Sequence, residues 1–106
     1  MRNGFTLLGS RMVNGGVDHD TIYVGRDDGR FREVQIVVER APIELYDVAI
    51  TFGNGDRFEP RTRLAYGRDT STRNIDLPGG ARVIQRVDFH YGNLAAREAK
   101  VEVWAR

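Results

Sequence analysis

Cysteine is missing from this chain of 106 residues. That excludes disulfides and zinc–thiolate sites, and it leaves the compartment open. Lysine is nearly missing too. Lys100 stands alone, and every other basic residue is arginine, a bias that reads as genomic composition. Charge of one sign is not in excess: the net charge is +1, too weak a field to steer nucleic acid or an anionic membrane. No run approaches the roughly 20 apolar residues of a membrane-spanning helix. The opening MRNGFTLLGSRM lacks the ~7–15-residue apolar core of a signal peptide. The protein is therefore cytoplasmic, or it is a periplasmic or secreted protein seen without its leader. No linker, repeat or low-complexity tract divides the chain, and its length predicts one domain with a core of its own.

What is present is short apolar alternation between turn signals. The longest apolar-rich region is FREVQIVVERAPIELYDVAITF, Phe31 to Phe52. In its first half Val34, Ile36 and Val38 alternate with Glu33, Gln35 and Glu39, a half-buried strand in which only Val37 breaks the polar side. In its second half Ile43 and Leu45 sit on odd positions, whereas Val48, Ile50 and Phe52 sit on even ones. A straight strand cannot bury both sets, because one residue of slip turns every side chain over. The pattern predicts a β-bulge or bend near Tyr46–Asp47.

Further strands are expected around this pair: one in Gly4–Val13, one at Thr21–Val24, one at Ala81–Tyr91 and one at Lys100–Arg106. In Ala81–Tyr91 the residues Val83, Val87, Phe89 and Tyr91 share a face opposite Arg82, Arg86, Asp88 and His90. Ile84 is the exception. Turns are signalled at Asn14-Gly15-Gly16, at Asp28-Gly29 and at Leu77-Pro78-Gly79-Gly80, the last as a type II turn. For Gly53-Asn54-Gly55 a three-residue loop is preferred to a two-residue one, because it sets Phe58 across from Ile50 and puts Gly55 at the left-handed position. Pro60 predicts an edge or the end of a strand. Residues 61–74 are polar and aperiodic and read as a loop, with a short strand at Arg63–Ala65. Leu94–Glu98 could form one helical turn. Eight or nine short strands with almost no helix predict an all-β, single antiparallel β-sandwich, jelly-roll-like or Greek-key.

Functional signals are few. Asp18-His19-Asp20 puts Asp18 and Asp20 on one side of a strand, a candidate calcium site through oxygen ligands, without EF-hand spacing. His19 and His90 are the only histidines, and neither lies in a spacing that suggests a triad or a zinc site. No serine or threonine carries a nucleophile motif, and glycine-rich phosphate cradles are missing. Enzymatic activity is not expected. Arg61, Arg63, Arg68 and Arg73 around Tyr66 could touch phosphates, but the balanced charge argues against a nucleic-acid face. Trp104 lies on the polar parity of Lys100, Glu102 and Arg106. If the last two long strands pair, Trp104 joins His90 and Arg86 on one ligand-binding face.

LLGSRMV, VDHDTIYVGRDDGRF, ELYDVAITFGNGD and IDLPGGARVIQRVDFHY together cover most of the chain. They resemble a bacterial family of small domains of unknown function, typically found in short exported proteins. The resemblance implies an exported all-β domain and supplies no site residues. Two functions are carried forward. One is a non-catalytic carbohydrate-binding or cell-envelope module, with calcium an optional cofactor. The other is a protein-interaction or assembly module using an exposed strand edge or the 61–74 loop.

Overall fold

The fold was analysed in a computed structural model, which describes residues 4–13, 18–25, 29–40, 43–60, 64–66, 70–71, 74–92 and 99–106. Eleven strands lie among them: β1 (Thr6–Val13), β2 (Asp18–Tyr23), β3 (Arg30–Phe31), β4 (Glu33–Glu39), β5 (Ile43–Phe52), β6 (Arg57–Phe58), β7 (Leu64–Tyr66), β8 (Thr70–Ser71), β9 (Ile75–Asp76), β10 (Arg82–Gly92) and β11 (Ala99–Ala105). They form two antiparallel sheets. The first has the order β1-β11-β4-β8, with β9 also on β4. The second has the order β2-β10-β5-β6, with β3 also on β10 and β7 on β5. The first strand pairs with the last and the second with the one before it. This is the double Greek key of a jelly roll, so the sandwich read from the sequence is the one observed.

The core lies between the sheets. The alternating residues Val34, Ile36 and Val38 of β4, Val87, Phe89 and Tyr91 of β10, and Val101 and Val103 of β11 are all buried in it. The parity change in β5 resolves as a bulge. Leu45 pairs with Tyr91 and Asp47 with His90, which leaves Tyr46 as the extra residue. Ile43 and Leu45 on one side of it, and Val48, Ile50 and Phe52 on the other, then all reach the same core. Ala49 and Thr51, on the opposite parity, are also buried; they are small residues of the outer face, flanked there by the larger side chains of Asp88 and Arg86 on β10. Ile84 has a similar cause. Its partner is Phe52 and that of Arg86 is Thr51, so Gln85 is extra and the parity resets.

The hairpin after β5 has the three-residue loop. Ile50 pairs with Phe58 and Thr51 with Arg57, the Phe52 amide donates to the Asp56 carbonyl, and Gly55 has φ +93°. Gly79 has φ +85°, as a type II turn requires. The strand expected at Arg63–Ala65 is β7, one residue later, and β8 adds a second strand within the supposed loop. Asn14-Gly15-Gly16, Asp28 and Leu94–Glu98 fall outside the described residues.

The pairing on which the shared Trp104 face depended does not form. β10 and β11 do not pair: β11 lies between β1 and β4 in the first sheet, and β10 lies between β2 and β5 in the second. The chain between them crosses from one sheet to the other.

Candidate functional site

That crossing separates the residues the sequence had grouped. Trp104 is on the outer face of the first sheet, opposite Leu7 on one side and Gln35 on the other. It is half-buried, and its Nε1 donates to Glu102 Oε1 at 3.2 Å. His90 and Arg86 stay together, on the outer face of the second sheet. Asp18 and Asp20 belong to β2 at positions of core-facing parity. Asp20 Oδ2 accepts a hydrogen bond from the Tyr91 hydroxyl at 3.3 Å, and only the backbone of Asp18 is described. Among the described residues no three His, Asp or Glu side chains lie close enough to hold a metal ion.

The outer face of the second sheet is a grid set by register. Along β10, Arg86 has Tyr23 and Thr51 beside it, Asp88 has Thr21 and Ala49, and His90 has His19 and Asp47. Neighbouring strands lie about 4.8 Å apart and alternate residues on one strand about 6.6 Å apart. The rows are therefore spaced on the scale of a sugar ring. Between His19, Asp47, Arg57, Glu59, Asp88 and His90 the face sinks into a shallow depression of about 290 Å³, floored by Ala49.

Asp88 organises this face. Thr21 Oγ1 donates to its Oδ1, His19 Nε2 lies 3.4 Å from the same oxygen, and Arg86 Nε donates to Oδ2 at 3.2 Å. Burial pushes the carboxyl up. The bonds from Thr21 and Arg86, together with the charges of Arg86 and His19, outweigh that and hold it below the usual carboxylate value. Because Thr21 and His19 both turn to Oδ1, they fix the carboxylate. This is not the relay in which a base activates a hydroxyl. Beside it, His90 Nδ1 lies 3.7 Å from Asp47 Oδ2, and Arg57 pairs with Glu59 at 2.9 Å. Every cation here faces an anion, so the face offers many donors and acceptors with little net charge. At its upper end Tyr23 is 73% exposed.

A larger cleft of about 490 Å³ lies at the Gly53–Asn54 turn, but its central groups are committed. The Arg82 guanidinium lies 3.7 Å above the Phe52 ring and donates to Pro78 O, Asn54 Oδ1 and Asp56 Oδ2. The bonds from Arg82 and Asn54 hold the Asp56 carboxyl below its usual value. Arg82 is a cap on the end of the core.

The sequence showed His90 and Arg86 as polar members of a strand. It gave no sign of Tyr23, which reads simply as a strand-forming aromatic, or of the His19–His90 row, which only the β2–β10 register creates. Comparison with known proteins adds one match: a family described as a domain of unknown function (DUF2541) matches residues 2–105. No curated protein and no solved structure matches the chain.

Proposed function

The chain belongs to the DUF2541 family of domains of unknown function, and we propose that it is a non-catalytic module that binds a saccharide on the outer face of its second sheet. One observation carries this reading: Tyr23, 73% exposed, stands directly opposite Arg86 and next to the rows Thr21–Asp88 and His19–His90–Asp47. A pyranose presents an apolar C–H face and a rim of hydroxyls. An exposed phenol ring suits the first, and fixed planar groups that both donate and accept suit the second. The near-neutral pairing of the charges favours an uncharged sugar. Jelly rolls also serve as lectin domains, an analogy of fold alone. In this reading Tyr23 takes the platform role expected of Trp104, and calcium has no part. The domain acts outside the cytoplasm, as its resemblance to exported proteins suggests, and cell fractionation checks that.

The test is a glycan array run in calcium and in EDTA. Binding is expected in both conditions, lost in Tyr23→Ala and kept in Trp104→Phe. A protein-assembly module is the second reading. It is favoured by Leu7 and Met12, 44% and 42% exposed on β1, the edge strand of the first sheet. Exposed apolar groups on an edge invite pairing with another chain. An empty array together with a concentration-dependent rise in mass would select it.

A further inference from the structure

His19 and His90 stand directly opposite each other on neighbouring antiparallel strands. Their rings are 5.7 Å apart, edge to face. Both are about half exposed, with side-chain accessibilities of 53% and 52%. A carboxylate lies against each imidazole: Asp88 Oδ1 at 3.4 Å from His19 Nε2, and Asp47 Oδ2 at 3.7 Å from His90 Nδ1. From this arrangement we infer that the pair forms a two-point site for a divalent transition-metal ion, with Cu²⁺ held more tightly than Zn²⁺.

The spacing fits the chemistry. Imidazole nitrogen binds such ions at about 2.0–2.1 Å, which puts two rings on one tetrahedral ion with centroids roughly 5 Å apart. The observed 5.7 Å is close to that separation, and the two edge-to-face rings, both half exposed, would turn to bring one nitrogen of each onto the ion. Directly opposite positions hold the two Cβ atoms about 4.5–5.5 Å apart, so the backbone places both rings within reach of one ion. The carboxylates complete the pattern. An imidazole that ligates a metal commonly gives its other N–H to a carboxylate, which fixes the ring and raises its basicity. Asp88 and Asp47 lie 3.4 and 3.7 Å from one nitrogen of each ring, near enough to take that role once a ring turns onto an ion, and Asp47 adds a negative charge beside it. Arg57 is engaged with Glu59, and Arg86 holds the other oxygen of Asp88, Oδ2, which leaves Oδ1 toward His19. With only two protein donors, the ion keeps open positions for water or a ligand oxygen. Imidazole is a borderline ligand, and for such ligands affinity rises to Cu²⁺ and falls at Zn²⁺.

The inference does not rest on the saccharide reading, because the test contains no sugar. Cu²⁺, and separately Zn²⁺, is titrated into the full chain at pH 7.4 by calorimetry, and the imidazole ring signals are followed by NMR with Zn²⁺. One ion per chain is expected, with both rings shifting together. His19→Gln and His90→Gln should each weaken binding about tenfold or more. Circular dichroism should show the variants folded, as expected for half-exposed positions. Stoichiometric binding that survives both substitutions would put the ion elsewhere, for instance at the amino terminus, and overturn the inference. So would a response from only one ring, or a wild type that binds no more tightly than the double variant.

Discussion

Gly9 and Ile22 close one side of the sandwich. A Cβ on Gly9 would stand 2.6 Å from the Cγ2 of Ile22, which joins β1 of the first sheet to β2 of the second. Ile22 is buried and β-branched, so its methyl has little room to turn away. Arg11 reinforces the seam, its Nε donating to the Thr21 carbonyl at 3.1 Å. That bond also occupies an outward acceptor on the β2 edge, which discourages pairing with another chain there. Gly9→Ala should therefore lower stability by about 1–3 kcal/mol through overpacking, read by denaturant unfolding. Unchanged stability would mean that the seam yields.

The bulge at Tyr46 makes a sharper demand. Without Tyr46, β5 would read Ile43, Glu44, Leu45, Asp47, Val48, an uninterrupted alternation with every apolar residue facing in. A chain lacking Tyr46 should still unfold cooperatively, at a cost of about 2 kcal/mol or less for the lost bulge geometry. Removing Ala49 instead turns half the strand over. The loss should then exceed the roughly 5–15 kcal/mol that holds a small domain together. Circular dichroism and a denaturant melt of the two deletions distinguish them. Similar behaviour of both would contradict the parity account.

Asp88 sets an acid limit. Its carboxyl is held below the usual value in the folded protein, so the unfolded chain takes up the proton first. The stabilisation is complete above the unfolded pKa of about 3.9 and is lost as pH falls through the folded value. Asp88→Asn should be less stable than wild type at pH 7 by about 1–3 kcal/mol, the worth of hydrogen bonds to a charged group. The gap should close in strong acid. A gap that stayed constant with pH would show that the carboxylate charge contributes nothing.

Much of this architecture is legible in the residues. The apolar parities of β5 locate its bulge, and the position of Phe58 relative to Phe52 selects the three-residue loop. Ile84 gave the same kind of signal, and it marks a second bulge at Gln85. What cannot be read locally is which strands meet. Consecutive strands often pair, and only if the last two long strands did so would Trp104 lie beside Arg86 and His90. In a jelly roll the connection between β10 and β11 changes sheets, so the local pattern of each strand was right while their juxtaposition was not. The candidate site has the same origin. Tyr23, His19 and Asp47 come from strands far apart in the chain, and no spacing in the sequence announces that they flank β10.

The most direct test of the saccharide reading maps a bound sugar onto the protein. A saccharide selected on the array is titrated into isotopically labelled protein, and the amide shifts are followed. The account predicts changes confined to β2, β10 and the adjoining part of β5, centred on Tyr23, Arg86, Asp88 and His90, with affinity falling about tenfold or more in Tyr23→Ala, as expected for a lost aromatic contact. Shifts centred instead on Trp104, Leu7 and Met12 across the first sheet, or no binding to any saccharide, would contradict it.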